Sequence, residues 1–278
     1  MKNTIRELVK EELCPDGVWK YSNQMNSIYQ MAIRKFPLRE ASEDEERYPT
    51  TQNGMGAYLD KFFARHYFQV QDSLLDYMTS DSFLDIISNG YINILDIGSG
   101  PAVASLAIAD LIRCITEVLY EIKIVDPKVF LSFVLNDTSD ICLGLGKEIL
   151  FNYFQRTSNS SCVSIDKAFF INKQFPETFS QFERISKNLK PFNIVNFSYV
   201  IVPLDEQDVD ISSEIMNFKK VCAKDGQILI VQDKYNEELI RRVENNAEKR
   251  SITHLVYSQQ NDNDSYTYEY YRLLKPCE

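Results

Sequence analysis

The sequence is poor in the residues that build metal centres. It has two histidines, His66 and His254, and six scattered cysteines (14, 114, 142, 162, 222 and 277) with no C-x-x-C pair. A zinc site needs clustered Cys and His, so none is expected. The cysteines read as small core hydrophobes in a reducing compartment. Basic residues are in deficit, 30 Lys and Arg against 40 Asp and Glu, a formal net charge of -10. That balance argues against tight non-specific binding to nucleic acid, which needs a basic footprint. No apolar run reaches the ~20 residues needed to span a bilayer. The N-terminus, MKNTIRELVKEEL, alternates charged with apolar residues and has no apolar signal-peptide core. The expected location is therefore the cytoplasm, with no membrane partner.

What is present is an ordinary globular composition: 278 residues, 44% hydrophobic, 12% aromatic and 25% charged. The length suits one large domain, or one domain with an extension. Residues 1 to about 90 read as helical. Leu8, Val9 and Leu13 repeat at helical spacing, as do Met25, Ile28 and Tyr29. The acidic stretch ASEDEERYPTTQNG reads as a solvated loop. A long amphipathic segment follows, with Leu59, Phe62, Phe63, Tyr67 and Val70 on one side, then a short helix ending at Gly90.

From residue 91 the pattern changes. INILDIG, VFLSFVLND, CVSIDKAFFIN, FNIVNFSYVIV and QILIVQD read as strands, each followed by a helical stretch. The last helical stretch is NEELIRRVENNAEKR. THLVYSQQ and SYTYEYYRLL then flank a polar NDND turn as a hairpin. Strands alternating with helices imply a mostly parallel sheet covered on both faces. Tyr266, Tyr268 and Tyr270 have the period of two that lines one face of a strand.

The segment Ile94-Leu95-Asp96-Ile97-Gly98-Ser99-Gly100-Pro101-Ala102 carries the most chemistry. A buried strand runs into a Gly-x-Gly turn and a helix of small residues follows at once. The glycines allow a sharp turn and leave no Cβ to bar a ligand, and Ala102 allows close packing of helix on strand. Context and the preceding acid favour a nucleotide-type ligand over a plain turn.

ILDIGSGPA resembles motif I of the class I S-adenosylmethionine-dependent methyltransferases, with Ala102 in place of the third glycine. The resemblance runs over roughly residues 92–275. It implies an α/β fold: a Rossmann-like, seven-stranded, mostly parallel sheet with a C-terminal antiparallel hairpin, preceded here by a helical cap. The boundaries expected are 1–90 for the cap and 91–278 for the S-adenosylmethionine-binding domain. The family's ribose-binding acid corresponds to Asp137, followed by Thr138 and Ser139. A carboxylate is the natural acceptor for two vicinal hydroxyls, although Asp137 also suits a helix cap. It follows Asp96 by 41 residues, more than the usual ~20. Asp166 and Asn172 are the candidates for the adenine contact after strand three.

Strand four, with Asn193 where the family usually has Asp, places Asn196, Ser198 and Tyr199 towards the methyl group. The cofactor contacts implied are thus Asp96, Gly98, Ser99, Gly100, Pro101, Asp137, Thr138, Asn172, Asn196 and Ser198. The activity implied is methyl transfer from S-adenosylmethionine, leaving S-adenosylhomocysteine, to an oxygen or nitrogen nucleophile. There is no N/D-P-P-Y/F motif and no Cys beside a Pro at the end of strand four. Acidic charge and an aromatic cap favour a small molecule or a protein as acceptor over RNA. His66 and Tyr199 are the candidate catalytic side chains; a histidine of ordinary pKa near ~6.5 suits a general base, and packing within a helix is its simpler role. His254 reads as structural. The cap should dock over the carboxyl edge of the sheet, with Tyr21, Tyr29, Tyr58, Phe62 and His66 near the mouth. Two other classes stay open: a catalytically silent domain of the same fold that binds a partner or cofactor, and a nicotinamide-dependent oxidoreductase.

Overall fold

Six α-helices precede the first strand in the computed structural model, which describes residues 2–123, 128–157, 162–200, 211–232, 248–259 and 262–274. They are α1 (Lys2–Leu13), α2 (Asn23–Lys35), α3 (Glu43–Arg47), α4 (Gln52–Tyr58), α5 (Ala64–Met78) and α6 (Asp81–Ser88). Local chemistry starts several of them. Ser22, Ser42, Thr51 and Ser80 sit at helix N-caps, each accepting a bond from a backbone N–H of the first turn. The capping serine that opens SEDEE, Ser42, explains why the acidic stretch is not a plain loop: four acidic residues in the first turn suit the positive end of α3. Between α4 and α5 the helix continues but widens into a π turn over Leu59–Phe63.

The sheet follows: β1 (Tyr91–Ile97), α7 (Val103–Glu121), β2 (Val129–Asp137), α8 (Asp140–Thr157), β3 (Val163–Asn172), α9 (Phe179–Leu189), β4 (Phe192–Ser198), α10 (Ile211–Phe218), β5 (Cys222–Gln232), β6 (Glu248–Gln259) and β7 (Asp262–Leu274). Its order is β3-β2-β1-β4-β5-β7-β6. The first five strands pair in parallel, and β7 runs antiparallel to both β5 and β6. A five-stranded parallel sheet with an antiparallel pair at one side is the arrangement that the family resemblance implied. One expectation fails in part: the helical reading of NEELIRRVENNAEKR ends on residues 248–250, which already belong to β6, and its remainder lies outside the described residues. Tyr266, Tyr268 and Tyr270 fall on β7, and His254 on β6.

The sheet separates two apolar layers. Alternation along β1 sends Ile92 and Ile94 into one and Leu95 and Ile97 into the other. The first layer contains α7, α8 and the cap helices; the second contains Phe182 of α9 and Phe218 of α10. Helix α7 is buried almost all round because α1, α5 and α8 cover it on the side away from the sheet. The N-terminal region is therefore a layer laid over one face of the sheet, and only part of it reaches the carboxyl edge. Helix α5 spans from that edge, where His66 stacks on Tyr199, to the opposite one, where the Tyr77 hydroxyl donates to the Asp225 carbonyl (2.8 Å). The region is not free of β pairing: Trp19 bridges Tyr257, its N–H donating to the Val256 carbonyl at the outer side of β6.

Candidate active site

The turn after β1 is left-handed at three residues, Gly98 (φ +61°), Gly100 (φ +51°) and Ala102 (φ +59°). Alanine there carries a strain of roughly 1–2 kcal/mol. Its methyl group is seated because the facing residue on α8 is Gly146; a Cβ at Gly146 would lie 3.2 Å from it. Three backbone donors of the loop are already engaged. Ser99 N–H donates to the Asn136 carbonyl (2.9 Å), Gly100 N–H to Asp137 Oδ2 (2.8 Å) and Ala102 N–H to the Ser99 carbonyl (3.0 Å). Pro101 has no N–H.

Asp96 is the last residue but one of β1, just before this loop, and is buried. Its Oδ2 accepts from the Ser105 hydroxyl (2.7 Å) and the Ser105 N–H (3.2 Å), and its Oδ1 from Asn196 Nδ2 (2.7 Å). Asn196 Oδ1 in turn accepts from the Ser198 hydroxyl (2.7 Å). This chain ties the start of α7 to the end of β4. Burial pushes the Asp96 carboxyl up to about 6, with its hydrogen bonds opposing the shift and Asp137 adding to it. Asn193 is structural, its Oδ1 accepting from the Asn93 N–H (2.9 Å).

Asp137 ends β2, opposite the loop. Besides Gly100, it accepts from the Ser139 N–H (2.8 Å), which makes it the cap of the turn into α8. Burial raises its carboxyl from the ordinary value against those backbone bonds. A carboxylate has about four lone-pair sites, so the backbone bonds from Gly100, Ser139 and Thr138 leave room for a ribose hydroxyl. Thr138 is exposed and Asn172, at the end of β3, donates to Asp140. Asp166 lies inside β3, near the Ser132 hydroxyl (3.4 Å), so of the two adenine candidates only Asn172 is at the strand end. The cap also reaches this corner: the Ser139 hydroxyl donates to the Pro49 carbonyl (2.6 Å).

Tyr58, Phe62, His66 and Tyr199 come together above the loop. The Tyr58 hydroxyl lies 3.8 Å from where a Cβ would sit on Gly100 and 3.1 Å from His66 Nδ1. His66 stacks on Tyr199 with 3.7 Å between centroids, and Phe62 packs 5.7 Å from His66. The Arg65 guanidinium covers both Phe62 (5.2 Å) and Tyr199 (5.7 Å). Tyr199 holds a left-handed backbone, φ +59°, a conformation that costs a bulky residue about 1–3 kcal/mol and recurs at functional sites. It is held there by its N–H on the Val231 carbonyl (2.9 Å) and its hydroxyl on Gln69 Oε1. The π turn just before α5, another feature frequent at such sites, carries Phe62.

Of the aromatic residues expected at the mouth, Tyr21 and Tyr29 are elsewhere. They pack on each other and on Tyr67, Phe68 and Phe63 inside the cap core, and Tyr29 donates to the Leu59 carbonyl. Arg65 and Gln69 were missed by the sequence reading. The available signal was polar residues interrupting the apolar run FFARHYFQVQ. Among the described residues no Cys, His, Asp and Glu group could hold a metal ion, and no helix is long and apolar enough to cross a membrane.

No protein-family model matches the sequence, and no curated protein matches it. Solved structures resemble it at low identity. A precorrin-6y C5,15-methyltransferase from Geobacter metallireducens is 13% identical, with a TM-score of 0.42 over 73% of this chain and 86% of that one. The N-methyltransferase NodS from Bradyrhizobium japonicum is 13% identical (TM-score 0.36; 77% and 98%). An rRNA methylase from Streptococcus thermophilus is 11% identical (TM-score 0.35; 69% and 92%). Likeness at this level assigns no activity, and the argument about chemistry rests on the residues themselves.

Proposed function

We propose that this chain is an S-adenosylmethionine-dependent methyltransferase whose acceptor is a small molecule or a protein. The observation that carries the reading is a pair of carboxylates, Asp96 buried and Asp137 half-buried, beside a glycine loop whose Ser99, Gly100 and Ala102 N–H groups are engaged within the protein. A dinucleotide needs those N–H groups for its diphosphate, and two carboxylates would repel it. The same carboxylates favour ribose hydroxyls and a cationic ligand. Asp137 would hold the ribose, with Thr138 and Asn172 beyond it towards the base. Gly98, Ser99, Gly100 and Pro101 would lie along the ligand's back, and Asp96, Asn196 and Ser198 beneath it. When bound, the group supplies an electrophilic methyl carbon. The chain positions the acceptor and excludes water, which is most of what such a transfer requires.

S-adenosylhomocysteine at about one hundred times its dissociation constant should stabilise the fold by about 2.7 kcal/mol, a melting shift of roughly 5–10 °C for a chain of this size. NAD at the same concentration should give none. No shift with S-adenosylhomocysteine in folded protein removes the reading, and a shift with NAD alone replaces it with the oxidoreductase.

Asp137→Ala should weaken S-adenosylhomocysteine by about 1.5–3 kcal/mol in calorimetry while the protein stays folded, since the residue ends a strand outside the core. An unchanged affinity would move the ribose contact to another acid.

Asp96 gives a pH signature. Its carboxyl, at about 6, is above the ordinary value, so the folded state holds the proton more tightly than the unfolded chain. Its contribution to stability is complete below the unfolded value and is lost as pH rises through about 6. A cationic ligand prefers the ionised form, so ligand stabilisation should grow over the same interval. Melting curves of parent and Asp96→Asn, with and without S-adenosylmethionine, whose sulfonium carries the charge, separate the two slopes. A ligand response that is equally flat with pH in both proteins counts against a cation beside Asp96.

A further inference from the structure

One serine ties the carboxylate proposed to hold the ribose to the cap. Asp137 accepts from the backbone N–H groups of Ser139 (2.8 Å), Gly100 (2.8 Å) and Thr138. With about four lone-pair sites on a carboxylate, one is left, and that one must take a ribose hydroxyl. A competitor for it belongs to this chain. The Ser139 hydroxyl is on the same residue whose N–H bonds Asp137 Oδ1, and short hydroxyl side chains readily bond acceptors of their own turn. Here it does not. A serine has one hydroxyl proton, and Ser139 donates it to the Pro49 carbonyl (2.6 Å). The same carbonyl accepts from Cys142 Sγ (3.4 Å), and Pro49 is buried.

Pro49 lies in the short strap that joins α3 to α4. Glu45 of α3 holds that strap, its carboxylate accepting from the Thr50 hydroxyl (2.7 Å) and the Thr51 hydroxyl (3.0 Å) and, more weakly, from both N–H groups. Thr51 caps α4, accepting from the Gly54 N–H (3.1 Å). Tyr58 ends α4 over the glycine loop, its hydroxyl 3.8 Å from where a Cβ would sit on Gly100. Burial first, then Cys142 and Asp137, raise its phenol, which stays protonated. The contacts form a closed circuit: Asp137 to Ser139, to Pro49, along the strap to Tyr58, to Gly100, and back to Asp137.

We propose, building on the methyl-transfer reading, that Ser139 is a positioning residue that couples ribose binding at Asp137 to the seating of residues 49–58. With Pro49 in place, the serine proton is taken and Asp137 keeps a site for the ribose. With Pro49 withdrawn, the hydroxyl turns to Asp137 and fills that site. A ligand on Asp137 therefore binds the seated form better, and such differential affinity is what shifts an equilibrium. Linkage makes the effect reciprocal: the seated segment strengthens the ligand by the factor by which the ligand holds the segment. The cap thereby controls the cofactor end of the site as well as the acceptor side, through a bond that touches neither ligand.

Hydrogen exchange on the full protein reads the segment. S-adenosylhomocysteine should slow the amides of α4 by about fivefold or more beyond those of α6, which lies outside the circuit. Ser139→Ala should abolish that excess, and Ser139→Thr, which keeps a hydroxyl, should retain it. Calorimetry reads the opposite direction. Glu45→Ala loosens the strap without touching Asp137 and should weaken S-adenosylhomocysteine by about fivefold or more. Adding Ser139→Ala to it should restore the affinity, because the competing hydroxyl is gone. A serine with a merely structural role gives no rescue, since its loss adds to that of Glu45. Equal slowing of α4 and α6 in the parent, or additive losses in the double variant, overturns this proposal and leaves the methyl-transfer reading standing. The parent's exchange decides the matter even where a variant fails to fold. Absence of S-adenosylhomocysteine binding in folded parent protein removes both.

Discussion

Asp110→Ala should lower stability by about 3–5 kcal/mol, the cost of stranding a buried charge, measured as the fall in the urea midpoint. Asp110 is fully buried in α7 and accepts from four groups: the Ser22 hydroxyl (2.9 Å), the Tyr67 hydroxyl (2.7 Å), the Tyr153 hydroxyl (2.7 Å) and Arg113 Nε (3.1 Å). Ser22 and Tyr67 belong to the cap region and Tyr153 to α8, so one carboxylate fastens three parts of the first layer. Alanine leaves the Arg113 guanidinium buried, with Glu117 as its remaining charged partner, and three hydroxyls without their acceptor. Against a total stability of roughly 5–15 kcal/mol, that brings the protein close to unfolding. The paired change Asp110→Leu with Arg113→Met should recover most of the loss, since a packed apolar replacement of a buried ion pair is often neutral. A loss below about 1 kcal/mol for the single variant would show that the cap is held by apolar packing alone.

Gly98→Val should abolish measurable binding of S-adenosylhomocysteine, a loss of more than about one hundredfold, or ~2.7 kcal/mol. A Cβ at Gly98 would stand 2.6 Å from Val200 Cγ2, and φ is +61°. A β-branched residue is an outlier at such an angle, and its side chain would push apart the ends of β1 and β4, between which a ligand must pass. Gly100 is different: its φ is +51°, but the nearest atom to a Cβ there is the Tyr58 hydroxyl at 3.8 Å. Gly100→Ala should therefore cost about 1 kcal/mol of backbone strain and bind with a small loss. Ser99→Ala should be nearly silent, because the Ser99 hydroxyl makes only a long 3.5 Å contact to the Gly100 carbonyl. Equal binding by the parent and Gly98→Val in calorimetry would place the ligand away from this loop.

Strands β1, β2 and β4 were legible because each is a buried apolar run bounded by turn chemistry, whereas β3, at the edge of the sheet, is mostly half-exposed and reads more weakly. Helix α9 falls on FSQFERISKNL, the segment read as helical. What the sequence hid was pairwise. Nothing in SEDEERYPTTQNG tells from composition that its serine and threonine cap two helices. Whether Asp96 faces solvent, a ligand or Asn196 depends on residue 196, one hundred positions away, and no local pattern carries that. Tyr21 and Tyr29 looked like pocket residues because aromatic character is common to pockets and cores; only the packing of Tyr67 and Phe68 against Tyr21 distinguishes them. The left-handed backbone of Tyr199 has no sequence mark at all, since the residue type that signals it is glycine.

The bridge between Trp19 and Tyr257 joins segments near opposite ends of the chain, and this constrains the order of events on a ribosome. Synthesis is vectorial, and domains form as their parts emerge. Residues around Trp19 emerge long before the hairpin that receives them. The helices that close the acceptor side can therefore form early but cannot take their final seat until the last strands have paired. Contacts of such wide separation slow folding, because chain closure must precede the contact. The nascent chain would hold its glycine loop before it holds a finished roof, and a ribosome stalled before residue 257 would leave Trp19 and Phe68 without the strand they pack on.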